Sequence, residues 1–99
     1  MLKISIQDDH DRATLKLEGK VVGPWATELN RVWGTFRPSL GMKRLCLDMR
    51  GVTFVDKDGI KTLRKILRRT NAEILADDPL TRQFVAASLR KPPQSKKEF

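Results

Sequence analysis

The amino-acid sequence predicts a small α/β domain in which a mixed β-sheet of four to five strands packs with about three helices. Apolar and polar residues alternate at the start of the chain, apolar residues recur at helical spacing over 25–36, and a continuous apolar run occupies 45–47. Alternation is typical of a strand with one buried face, and the longer period of an amphipathic helix. A short continuous run is typical of a central strand that is buried on both faces.

The first half of the chain predicts a hairpin and then a strand–helix–strand unit. Residues 2–6 and 13–17 alternate at period two on either side of a polar turn at 7–12. Gly23 and Pro24 mark a helix start, and the residues that follow form one apolar arc expected to pack on the sheet: Trp25, Leu29, Val32, Trp33 and Phe36. We expect a break at 37–42, which contains Pro38 and Gly41, before a strand at 44–49.

The second half predicts two further helices. A turn at Arg50 and Gly51 is expected to lead into a strand at 52–55, followed by a helix from about Lys57 to Thr70. Its apolar stripe is Ile60, Leu63, Ile66 and Leu67. After a short strand at 72–76, Asp78 and Pro79 supply an N-cap and a first-turn proline for a third helix carrying Leu80, Phe84, Val85 and Leu89.

Length and composition predict one domain and exclude several classes of protein. With 99 residues the chain has room for one core, which we place in residues 1–89, and the polar residues 90–99 are expected to form a basic, flexible tail. The lone Cys46 lies between two leucines, where it is predicted to be a small buried hydrophobe. Since no segment approaches the ~20 apolar residues that span a bilayer, we expect a cytoplasmic protein.

Several segments, in this order, resemble the STAS domain, which is shared by anti-sigma-factor antagonists and the cytoplasmic ends of sulphate transporters. They are Leu-Lys-Leu-Glu-Gly at 15–19, Leu-Cys-Leu-Asp at 45–48, Gly-Val-Thr-Phe-Val-Asp at 51–56, Gly-Ile at 59–60 and Asp-Pro-Leu-Thr-Arg at 78–82. The resemblance covers roughly residues 2–89. It implies a small α/β module with a mixed sheet that acts in signalling and transcription regulation through protein–protein interaction.

The turn before the second helix departs from the pattern of that family. Antagonists commonly carry Asp-Ser-Ser-Gly there, and the first serine accepts phosphate from an anti-sigma-factor kinase, whereas this chain carries Asp56, Lys57, Asp58 and Gly59. By this alignment Lys57 occupies the phosphoacceptor position. The resemblance therefore implies an antagonist-like module that is not phosphorylated at the usual position, although Asp56 and Asp58 are also explained simply as stabilisers of a helix start.

The second helix carries a basic face, which is the other candidate binding surface. The residues that project beside or opposite the apolar stripe are Lys57, Lys61, Arg64, Lys65, Arg68 and Arg69. Like charges at i,i+4 cost a few tenths of a kcal/mol each, so an unbroken basic face is either a solvated surface or a docking surface for an acidic partner. STAS antagonists meet partners through this turn and helix, so the resemblance implies a binding site formed by Asp56, Lys57, Asp58, Gly59, Lys61, Arg64, Lys65 and Arg68. Val22, Pro24 and Met49 are candidate apolar anchors.

Other functions remain alternatives. The chain carries 20 basic against 12 acidic residues, a net charge of +8, so non-specific binding to nucleic acid or an anionic surface through the second helix and tail is one alternative. A soluble STAS subunit of a membrane transport assembly is another, and homo-oligomerisation is left open. The sole histidine, His10, lies among aspartates in a polar turn, and no nucleophile with a neighbouring base can be assembled. We therefore expect no catalysis, no metal and no cofactor.

Overall fold

The computed structural model describes residues 1–70 and 72–89, and these form seven elements in the order β1 (Leu2–Asp8), β2 (Arg12–Val21), α1 (Gly23–Leu40), β3 (Arg44–Val55), α2 (Lys57–Arg68), β4 (Glu73–Leu75) and α3 (Pro79–Leu89). The expected tail at 90–99 lies outside the described residues. Among the residues described, no helix is both long and apolar enough to cross a membrane.

The strands form one four-stranded mixed sheet in the order β1-β2-β3-β4. The hairpin partners β1 and β2 are antiparallel, whereas β2, β3 and β4 run parallel to one another. This confirms the hairpin and the strand–helix–strand unit. Because a crossover returns the chain to the start of the next parallel strand, α1, α2 and α3 all begin at the edge of the sheet where β2, β3 and β4 end.

The three helices pack side by side on one face of the sheet, with α2 in contact with both α1 and α3. Leu15 and Leu17 of β2 are fully buried, as are Leu47 of β3, Trp33 of α1 and Leu63 of α2. Burying a side chain of this size contributes roughly 1.5–3 kcal/mol relative to leaving it exposed. The sequence periodicity predicted most of this core, and Cys46, at 1% exposure, is confirmed as a buried residue.

The expected turn at Arg50 and Gly51 is wrong, because β3 runs unbroken through both residues. The register against β2 shifts between Lys16 and Glu18 and again between Gly19 and Lys20, so irregularities in pairing, rather than a turn, accommodate this part of the strand. The charged side chain of Arg50 is accommodated in the middle of β3 because it pairs with a residue two positions earlier on the same strand. Its guanidinium donates two bonds, both of 3.0 Å, to the carboxylate of buried Asp48.

Two expectations for α1 are also wrong. The helix continues through Pro38 to Leu40, since a proline near the C-terminus removes only one late backbone hydrogen bond, and the Ser39 hydroxyl donates to the carbonyl of Phe36 at 2.8 Å. Trp25, placed by its spacing on the buried arc, is 36% exposed because it lies on the flank of α1 that faces the outer strand β1 rather than the centre of the sheet.

Candidate functional site

The candidate site lies where α2 begins, at the edge of the sheet formed by the ends of the parallel strands. The last residue of β2, Val21, pairs with Val55, the last residue of β3. One residue beyond Val55, the backbone N–H of Asp56 donates to the carbonyl of Val21 at 3.2 Å. The turn that starts α2 is therefore tied directly to the end of the neighbouring strand.

Asp56 connects the starts of two helices. One carboxylate oxygen accepts a hydrogen bond from the backbone N–H of Gly59 in α2 at 2.8 Å, and the other accepts from the N–H of Gly23 in α1 at 2.9 Å. These bonds, that from Gly59 foremost, lower the pKa of Asp56 from its ordinary value of 3.8, although partial burial opposes the shift. Both oxygens of this predicted site residue are thus engaged by the protein's own backbone.

Gly59 is buried because the first turn of α2 lies against backbone. A Cβ at this position would be 2.1 Å from the carbonyl oxygen of Val21 and 2.6 Å from Cγ1 of Val55. The predicted site therefore uses Gly59 for close packing between helix and sheet rather than for an exposed contact.

Lys57 and Asp58 are the exposed residues of the turn. They lie at the first two positions of α2, where unpaired backbone N–H groups favour the carboxylate of Asp58 and disfavour the ammonium of Lys57. Neither side chain carries a hydroxyl, so no serine or threonine phosphate can form at either position.

The basic residues of α2 divide into exposed ones and ones that contact neighbouring helices. Lys61 and Arg68 are exposed. Lys65 is also exposed, and its Nζ donates to Oδ1 of Asn30 in α1 at 3.1 Å. Together with Arg64 and Arg69 they line an open groove of about 400 Å³ whose lining consists only of basic side chains.

Arg64 does not have the fully solvent-facing position that its spacing suggests. Its side chain is half-buried, and Nη2 donates to the carbonyl of Ala87 near the end of α3 at 3.3 Å. On the other flank of α2, the hydroxyl of Thr62 donates to the carbonyl of Ala26 in α1 at 3.4 Å. Arg64 therefore helps to hold the helix layer together, whatever else it binds.

The predicted apolar anchors are only partly exposed. Met49 is fully buried and is excluded as a surface anchor, whereas Pro24 is exposed and Val22 is half-buried. Sequence reasoning missed two exposed apolar residues near the same edge, Phe54 at 46% and Leu80 at 47%. We expected Phe54 only as part of a strand at 52–55, and Leu80 only as one of the apolar residues of the third helix. In the structure α3 buries Thr81, the next residue after Leu80, and the Thr81 hydroxyl donates to the carbonyl of Val52 at 3.3 Å.

Among the residues described, no group of three or more metal-ligating side chains comes together, the acidic turn around His10 included. Asp8 forms an ion pair with Lys43, which ties the end of β1 to the loop between α1 and β3. The hairpin turn is thus an exposed structural connection in this part of the chain.

The overall architecture is that of anti-sigma-factor antagonists. An antagonist from Mycobacterium paratuberculosis superimposes with a TM-score of 0.76 at 18% identity, over 87% of this chain and 76% of that one. The antagonist SpoIIAA in its unphosphorylated form gives a TM-score of 0.64 at 11% identity, covering 82% and 79% of the two chains. A STAS-domain antagonist from Rhodobacter sphaeroides gives 0.54 at 15% identity, covering 76% and 84%.

At the level of sequence the chain stands apart, since no family model and no curated protein matches it. Identities of 11% to 18% establish the fold alone. The chain thus has the STAS fold of the anti-sigma-factor antagonists, which confirms the resemblance read from its segments at the level of the fold.

Proposed function

We propose that this protein is a non-catalytic regulatory module that binds an acidic protein surface through the start and the basic face of α2. The observation that carries the proposal is the groove of about 400 Å³ lined only by basic side chains, on the helix that follows the Asp56–Gly59 turn of an antagonist fold. Unbroken positive charge repels itself, so a binding role explains it better than helix stability does.

The partner is inferred from charge and from the proteins that share the fold. A positive face is complementary to an acidic one, and such complementarity speeds association and makes it sensitive to salt. Three of the structural neighbours are antagonists of anti-sigma factors, so we infer an acidic regulator of the anti-sigma-factor or kinase type, met in the cytoplasm. Affinity also requires an apolar contact, and the exposed Phe54 and Leu80 at the same edge of the sheet are suited to provide it.

The interaction is proposed to be independent of phosphorylation in the turn. A phosphoserine would add about −1.5 to −2 charges, whereas Lys57 carries a permanent +1. A purified kinase-type partner with ATP should therefore leave the turn of the wild-type protein unlabelled, and Lys57→Ser should introduce a labelled site. Labelling of the wild-type turn peptide would contradict the proposal.

The test of docking is affinity capture from nuclease-treated lysate, followed by direct binding measurements with the purified captured protein. We compare wild type with Lys57→Glu/Lys61→Glu, both exposed on α2, and with Arg37→Glu/Arg44→Glu, which makes the same charge change near the opposite edge of the sheet. An acidic protein lost only from the α2 variant supports the proposal. Equal loss from both variants, or capture of polyanions abolished by salt, would instead show non-specific electrostatic binding.

A further inference from the structure

The outer strand β1 is an unprotected sheet edge. It pairs only with β2 among the residues described, and it contains no proline and no irregularity in its register. The N–H of Lys20 in β2 donates to the carbonyl of Met1 at 3.1 Å, so Met1 and Lys20 form a hydrogen-bonded pair. Along an antiparallel ladder hydrogen-bonded and non-hydrogen-bonded pairs alternate, so every second residue of β1 directs its N–H and C=O away from β2. The backbone groups of Leu2, Ile4, Ile6 and Asp8 therefore point to the free edge.

An apolar groove runs beside this edge. It has a volume of about 500 Å³ and lies between the strand and α1, lined by Leu2, Ile4, Ile6, Pro24, Trp25, Glu28 and Val32. A second opening of about 320 Å³ continues it past Ile6 and Val32 to Phe36. Ile6 is 43% exposed and Trp25 is 36% exposed. The free backbone groups of β1 and these exposed apolar side chains therefore lie together along one edge of the sheet. Such an edge is a template for strand addition.

Charge is distributed unequally along the strand, and this pattern is complementary to an antiparallel copy of the same strand. Lys3 lies near the start of β1, whereas Asp9 directly follows the end of the strand, and both are exposed. Asp8, the last residue of β1, is already paired with Lys43. A second β1 added in the antiparallel direction brings the basic end of one strand to the acidic end of the other. A parallel copy would bring like charges together, which is unfavourable.

We propose that a second copy of this chain pairs its β1 with the free β1 edge, forming a two-fold dimer with a continuous sheet to which each chain contributes four strands. The register that pairs all of Leu2–Asp8 is centred on Ser5. It places Ile4 opposite Ile6 of the partner subunit, so apolar side chains meet on the helix side. It also places Lys3 one diagonal step from Asp9 of the partner subunit, a separation that long side chains span. The basic face of α2 remains open in this dimer.

A symmetric disulfide tests this register. In it the two Ser5 residues form a non-bonded pair with Cα atoms about 4.5 Å apart, which is within the range that a disulfide bridges. Oxidised Ser5→Cys should therefore yield a covalent dimer. Gln7→Cys, on the same face of the same strand, should stay monomeric in non-reducing electrophoresis, because Gln7 lies opposite Lys3 of the partner subunit and the two introduced cysteines are far apart. The native Cys46 is buried in both variants.

Sedimentation of the full chain tests the dimer itself over about 1 µM to about 1 mM, the range of moderate to weak association. We expect the wild-type protein to dimerise in a concentration-dependent way and Ile6→Lys to be monomeric. Lys3→Glu should weaken dimerisation, and the double variant Lys3→Glu/Asp9→Lys should restore it. Circular dichroism confirms that each variant is folded. A monomer throughout the range, equal cross-linking of Ser5→Cys and Gln7→Cys, or a dimer that the folded Ile6→Lys variant retains would each overturn the proposal.

Discussion

Replacing Gly59 by alanine should destabilise the protein, although alanine is the better helix former. The added methyl would lie 2.1 Å from the carbonyl oxygen of Val21, so α2 must retreat by about 1 Å to reach even a tight contact. Overpacking of this kind costs typically 1–3 kcal/mol, and it falls at the upper end here because the obstacle is backbone rather than a flexible side chain. Against it stands a gain of roughly 0.5–1 kcal/mol from removing a helical glycine.

We therefore expect Gly59→Ala to lower the free energy of unfolding by about 2 kcal/mol, which is a fall in Tm of roughly 8–16 °C for a domain of this size. The matched control is Gly34→Ala in α1, where a Cβ meets nothing within 4 Å. That variant should gain about 0.5–1 kcal/mol. Urea unfolding followed by circular dichroism measures both changes. A Gly59→Ala protein at least as stable as wild type would refute the close approach of α2 to β2.

Three further variants test the capping, the core and the helix layer. The lowered pKa of Asp56 means that its carboxylate stabilises the fold above pH 3.8, and this stability is lost as the pH falls through the folded-state pKa. Asp56→Asn should therefore be less stable than wild type at neutral pH and should lose less stability below pH 4. Equal acid-unfolding profiles of Asp56→Asn and of the exposed-site control Asp58→Asn would contradict this. Leu63→Ala removes a fully buried side chain and should cost about 2–5 kcal/mol in urea unfolding, a loss under 1 kcal/mol being inconsistent with the packing. Arg64→Glu should lower Tm by several degrees because it breaks the hydrogen bond to the carbonyl of Ala87 in α3, whereas Arg68→Glu, at an exposed position, should leave Tm nearly unchanged. Thermal melts in which Arg68→Glu lowers Tm more than Arg64→Glu would count against the contact between Arg64 and α3.

The Asp56–Gly59 turn illustrates how much of the site can be predicted from sequence. Its position before α2 and the capping role of Asp56 follow from local chemistry, since a carboxylate accepts the bond from the N–H three residues ahead. The second bond, from Gly23 to Asp56, joins residues 33 positions apart and depends on how two strands end side by side. Sequence spacing contains no information on such a contact.

The basic face shows the same division. Helical periodicity correctly predicted which residues of α2 lie on its apolar stripe and that its remaining faces are cationic. Periodicity assigns a residue to a direction around its own helix, however, and not to a neighbour. Arg64 bonds to α3 and Lys65 to α1 because those helices flank α2 in the layer, which a helical projection of α2 alone cannot show.

The sequence by itself determined the order of the elements, the hairpin, the parallel strand–helix units, most of the core and the absence of a hydroxyl from the turn, because each depends on local periodicity, capping or residue identity. The tertiary structure decided which apolar residues stay exposed, and it turned an expected turn at Gly51 into the middle of β3. It also left β1 as a free edge beside an apolar groove. These features depend on which surfaces meet across distant parts of the chain, and burial and strand pairing are properties of that assembly rather than of any single segment.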